Sequence, residues 1–216
     1  MKIQISKIIG TLAVTVLCLS ASLQATQTYG FDRITNNSSE NPGGQLFVDV
    51  SDAGSNQVLF HFTNIGLIPS SITDIYFDNG APGSTLLSIA GMTSSGGVDF
   101  GIGATPANLP SGNTVGFNTT MSLSADSNPP AAPNGVNPSN EWIDLTLNLL
   151  PGKTFNDTIT ALGDRTLRIG LHVQAIGTEG KSDGFVNALP IPVPSTILLT
   201  SLGTAMVGWL RRRRSL

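Results

Sequence analysis

The stretch "WIDLTLNLL" (142–150) sets the strongest limit on this chain. Ile143, Leu145, Leu147 and Leu149 alternate with Asp144, Thr146 and Asn148, and a period of two buries one side of a β-strand while wetting the other. "LRIGLHVQA" repeats the pattern, with Leu167, Ile169, Leu171 and Val173 opposite Arg168, His172 and Gln174. "QVLFHFTN" places Val58, Phe60 and Phe62 on one side, and "ITDIYFDNG" runs as a strand into an Asp78-Asn79-Gly80 turn. "QLFVDVSD", "TLLSIAGM", "GVDFGI" and "VGFNTTMSLS" are further candidates.

About eight short strands separated by turn signals predict an all-β body over 45–177, a β-sandwich or jelly roll. "TFNDTITAL" breaks the pattern, because Phe155, Ile159 and Leu162 recur at helical spacing before Gly163, which predicts a short helical turn. No series of helical crossovers separates the strands, so a parallel α/β fold is disfavoured. The prolines of 124–140 deny ladder donors, which predicts a loop. Residues 26–44 carry few strand signals and are expected to form a mobile leader. Residues 178–191 read as a polar, then proline-rich, linker.

Composition agrees with many short strands and turns: 24 Gly and 13 Pro, and only 12% charged residues against roughly 25% in an average soluble domain. Lys2, Lys7 and Arg211 to Arg214 hold six of the eleven bases at the two ends. The body between them sets five bases against fourteen acids, a net charge of −9. Such a body has no electrostatic footprint for nucleic acid.

The first 25 residues have the form of a secretory signal peptide: Lys2 and Lys7, an apolar run from Ile8 to about Leu19, then small and polar residues. Cleavage is expected after Ala25, with a cut after Ser22 as the alternative. Cys18, the only cysteine, lies inside the apolar run. The mature chain therefore uses neither disulfides nor thiol chemistry.

Motifs for catalysis are scarce. His61 and His172 occur on the polar side of alternating strands without HxH or HExxH spacing, which reads as strand-surface histidine. No phosphate loop or G-x-S-x-G is present. A hydrolase would be signalled by paired carboxylates in a cleft with perturbed pKa values. Glu40, Glu141 and Glu179 stand alone in turn-like contexts, and no enzyme activity is expected. For a cofactor the expectation is none, calcium being the one ion considered. Asp52, Asp78, Asp126 and Asn128 offer hard oxygens on loops, though no complete D-x-[DN]-x-[DN]-G loop exists. Solvent-facing aromatic rings would favour a carbohydrate-binding module; Trp142 and Tyr76, however, fall within expected strands.

The chain finishes "LPIPVPSTILLTSLGTAMVGWLRRRRSL". Residues 195–210 contain no charge and as helix would span roughly 24 Å at 1.5 Å per residue. Trp209 lies where an interfacial aromatic belongs, and Arg211 to Arg214 hold that end in the cytoplasm, leaving the body outside. This agrees with the topology that the signal peptide demands.

The tail resembles a PEP-CTERM sorting signal, which joins a Pro-Glu-Pro motif, a short transmembrane helix and a terminal arginine cluster. On this chain the motif falls on Pro192-Val193-Pro194, the helix on 195–210 and the cluster on Arg211, Arg212, Arg213 and Arg214. Val193 stands where the family has Glu. "SITDIYFD" and "LRIGLHVQAIG" are similar to segments of one group of PEP-CTERM ectodomains. The resemblance implies an inner-membrane anchor and processing by an exosortase. It further implies surface display or release into an exopolysaccharide matrix, and it implies no particular activity.

Overall fold

A computed structural model describes residues 26–80, 84–138 and 140–191. The expected signal peptide (1–25) and the sorting tail (192–216), with Pro192, Val193, Pro194 and Arg211 to Arg214, lie outside the described residues. Among those residues no helix is long and apolar enough to cross a membrane.

The described chain is mostly β. Its strands are β1 (Gln27–Arg33), β2 (Leu46–Gly54), β3 (Gln57–Asn64), β4 (Ser71–Asn79) and β5 (Leu86–Ser94), then β6 (Phe100–Ile102), β7 (Ser124–Ser127), β8 (Trp142–Leu149), β9 (Leu167–Ile176) and β10 (Lys181–Pro190). They form one antiparallel sheet in the order β5-β8-β3-β2-β1-β10-β9-β4-β7-β6. Its edges, β5 and β6, are consecutive in the chain and separated only by 95–99. At about 3.5 Å per residue such a link brings the edges within about 20 Å of each other, so the sheet must curl until it nearly closes. Phe60 of β3 and Phe77 of β4, five places apart in the sheet order, accordingly meet edge to face at 5.0 Å.

The alternating residues fill the inside. Val58, Phe60 and Phe62 of β3, Leu145 and Leu147 of β8, and Leu167, Ile169, Leu171 and Val173 of β9 are each 0% exposed. The helix α2 (Phe155–Gly163) forms where its spacing predicts. A capping box between Thr154 and Asp157 starts it, and Ala161 and Leu162 pack into the core.

Two expectations need correction. Residues 26–44 are not a leader: they contain β1, hydrogen-bonded between β2 and β10 in the middle of the sheet. Tyr29 (0% exposed) and Phe31 (5%) enter the core, each burial stabilising the fold by about 1.5–3 kcal/mol. Two inward residues within seven are a faint period, which explains why the sequence hides this strand. Likewise 178–191 is not a linker, because β10 occupies most of it between β1 and β9. This strand buries Asp183 and Asn187 (each 1% exposed) beside Phe185 (0%), so polar letters stand where a buried strand usually shows apolar ones. Both are satisfied: Asp183 accepts from Thr35 Oγ1 (2.6 Å) and the Asn37 amide (2.8 Å), and Asn187 Oδ1 accepts from the Ile169 amide (2.7 Å). Burial opposes ionisation of Asp183, but these bonds and Arg33 outweigh it and hold the carboxyl below its ordinary range.

Smaller differences follow from local chemistry. "VGFNTTMSLS" makes no strand until β7 begins at Ser124, and "GVDFGI" contributes only Phe100–Ile102. Residues 124–140, expected to be loop, open with β7 and include a single helical turn, α1 (Ala131–Asn134). Both pieces are secured by β4: Asp74 pairs with Asp126 in register, and Ser71 Oγ donates to the Ala132 carbonyl at 2.7 Å.

Candidate functional site

The two halves of the sheet present different outer faces. On the β10-β9-β4-β7 half, every residue of β4 is buried, those on both sides of the strand alike. Ile75 and Phe77 enter the main core, whereas Tyr76 belongs to a second cluster with Leu109, Phe117 and Val186. The segment 103–120 therefore lies over this half as a cover. Gly170 makes room for it: a Cβ there would stand 2.8 Å from Leu109 Cδ2 and 3.0 Å from Phe117 Cζ.

Polar side chains clamp the cover at both ends. Asp126 accepts from the Thr105 amide at 3.1 Å, Ser124 Oγ from the Ala104 amide at 3.0 Å, and the Tyr76 hydroxyl donates to Pro106 O at 3.0 Å. At the far end Asp78 accepts from Arg168 (2.5 Å) and from the Asn118 amide (3.0 Å). Arg168 also donates to the Val115 carbonyl at 2.9 Å and lies 5.3 Å above the Phe117 ring.

Beneath the first clamp, register brings Asp126, Asp74 and His172 side by side across β7, β4 and β9. His172 Nδ1 donates to Asp74 Oδ2 at 2.8 Å, and Asp74 is 1% exposed. Asp74 Oδ1 is buried and has no hydrogen-bond partner among the described residues, although Asp126 stands directly opposite Asp74 across the β4–β7 register. Burial, with the Asp74 charge second, pushes Asp126 up to about 6 despite the opposing Thr105 amide. Burial and the same two carboxylates push the Tyr76 phenol upward as well.

Paired carboxyls with a raised pKa are what a hydrolase would show. In this pair, however, Asp74 is 1% exposed and closed to solvent, so water and substrate do not reach it. The arrangement ties down a loop.

The other half, β5-β8-β3-β2-β1, is arranged differently. Its outward residues are half-buried at every second position of β2, β3 and β8. One row across the strands reads Gly30, Phe47, Thr63, Trp142, and the next reads Thr28, Asp49, His61, Asp144. His61 Nδ1 donates to Asp144 Oδ1 at 2.6 Å and its ring lies 5.6 Å from that of Trp142. Thr28 Oγ1 donates to Asp49. A shallow groove of about 370 Å³ adjoins this face, with Gly30, Phe47, Asn41 and Ile191 among its walls.

The loop oxygens considered for calcium are not brought together. Asp52 accepts from the Gly54 amide at 2.8 Å within its turn. Asp78 and Asp126 hold opposite ends of the cover, and the Asn128 carbonyl accepts from Asn134 Nδ2 at 2.8 Å. Among the described residues, no three His, Cys, Asp or Glu side chains are grouped to hold a metal ion. The glutamates serve as cross-links: Glu40 accepts from the Thr178 amide, Glu179 from Ser39 Oγ and Glu141 from the Asn137 amide. Both histidines were placed on outward strand positions by the sequence, but their aspartate partners were missed. Those partners are 98 and 83 residues away, and only strand register reveals them.

No family model, curated protein or solved structure matches this chain.

Proposed function

We propose that this is an exported, non-enzymatic interaction protein of the cell surface or exopolysaccharide matrix, sorted by its PEP-CTERM-like tail. In this reading the body is a sandwich-like ectodomain, formed as the two halves of the folded sheet face each other. An exosortase is the processing partner, and the inner membrane holds the chain beforehand through 195–210. The observation that supports the reading is the position of β10. This central strand ends at Pro190, and Pro192-Val193-Pro194 follows one residue later. Cleavage within that motif would therefore remove no residue of the folded sheet. A chain lacking 192–216, expressed in its own host, is expected to be exported but to escape the membrane fraction. Retention of the truncated chain in the membrane would defeat the anchor role of the tail.

A carbohydrate-binding surface module is the second reading, and the outward position of Phe47 and Trp142 favours it. A secreted hydrolase is a weaker third, because the Asp74–Asp126 pair is covered.

A further inference from the structure

We propose that the outer face of β1, β2, β3 and β8 binds a neutral glycan chain. The chain runs across the strands from the groove over Gly30 to Trp142. This inference names the ligand class of the proposed surface protein and rests on that reading only for where the glycan is met.

The face has the two components that a sugar ring requires. Pyranose rings carry C–H groups on their faces and hydroxyls on their edges, so they are held by apolar ring surfaces beside fixed acceptors and donors. Phe47 and Trp142 stand in one row with Thr63 between them, two strand spacings apart or roughly 10 Å, about the length of a disaccharide. The adjacent row supplies Asp49, His61 and Asp144, roughly 7 Å along the strands. His61 is fixed by Asp144 and by contact with Trp142, so little side-chain freedom is lost on binding.

The groove extends the platform at the Phe47 end. A Cβ on Gly30 would meet only Ile191 Cδ1, at 3.7 Å, which leaves an open floor between Phe47 and Ile191. Charge selects among glycans: Asp49 and Asp144 face outward, and the body is acidic overall. Arg33, which lines the groove, is already engaged by the carbonyls of Ser38 and Glu40 and by Asp183. An anionic polymer is thereby disfavoured, as is an anionic membrane surface. The acceptor row suits hydroxyl donors better than it suits the apolar side chains of a protein partner.

The test uses the full chain purified in detergent and titrated by calorimetry with gluco-, xylo- and manno-hexasaccharides, with polygalacturonate as the anionic control. Saturable binding to at least one neutral hexasaccharide is expected, with none to polygalacturonate. Trp142→Ala and Phe47→Ala should each weaken that binding by about tenfold, as expected when a stacking ring is truncated. Gly30→Leu puts a side chain into the groove from a position whose Cβ has room, with Ile191 Cδ1 at 3.7 Å; in the variant that keeps its melting temperature, hexasaccharide binding should fall towards that of a disaccharide. Failure to bind any neutral hexasaccharide would overturn the proposal, as would preference for polygalacturonate. Unchanged affinity in folded Gly30→Leu together with Trp142→Ala would overturn it equally. None of these outcomes depends on tail processing, so failure here is separable from failure of the sorting reading.

Discussion

Replacing Asp126 by Asn should stabilise this protein at pH 8 and leave it unchanged near pH 4. In the folded chain Asp126 is pushed up to about 6, against about 3.9 for an unfolded aspartate. The folded state thus binds the proton more tightly, and stability declines as pH rises from about 4 to about 6, levelling off above that. Two pH units of displacement correspond to at most about 3 kcal/mol. Asp126 is partly solvated, so screening reduces the expected effect to about 1–2 kcal/mol. Asparagine removes the charge that burial and Asp74 oppose, while its oxygen can still accept from the Thr105 amide. For a body of this size, 1 kcal/mol moves the midpoint by about 2–4 °C. Thermal melts of both proteins from pH 4 to pH 8 should show the variant gaining about 2–8 °C at pH 8. The gain should vanish towards pH 4. A lower melting temperature at pH 8, or an equal gain at both ends, would refute the account of Asp126 as a carboxyl raised by burial and by the Asp74 charge.

Other perturbations probe a strand that the sequence hid, a helix that it showed and the loop oxygens considered for calcium. Tyr29→Ala should cost about 3–5 kcal/mol in denaturant unfolding, as for a large core ring, whereas a mobile leader would register no change. Thr154→Ala removes the capping box of α2 and should cost about 1 kcal/mol, read as a lower midpoint with an unchanged slope. Millimolar calcium, compared with chelator, should leave the melting temperature unmoved, since Asp52, Asp78, Asp126 and Asn128 occupy separate places. A reproducible upward shift would show a site that this geometry does not contain.

What the sequence revealed and concealed follows from which faces are buried. β3, β8 and β9 were legible because their inward residues are apolar and their outward ones polar. β1 and β10 were not, since Asp183 and Asn187 are buried through specific partners, and hydrogen-bonded polar groups carry no hydrophobic period. The covered half was equally opaque. Tyr76 reads as one more strand aromatic until Leu109 and Phe117, brought in from a loop, are seen to pack against it. Strand order lay beyond the reach of periodicity altogether, for alternation states which side a residue faces and not which strand lies beside it. The rows joining Phe47 to Trp142 and Asp74 to His172 exist only through that order. The tail, read from charge, hydropathy and resemblance, lies outside the described residues.

The C-terminal mass of the mature protein, recovered from membrane, surface and medium fractions of its host, tests the sorting reading most directly. The account predicts a surface or released form that ends at or near Pro192-Val193-Pro194 and lacks Arg211 to Arg214. Recovery of Arg211 to Arg214 intact in every fraction would contradict it.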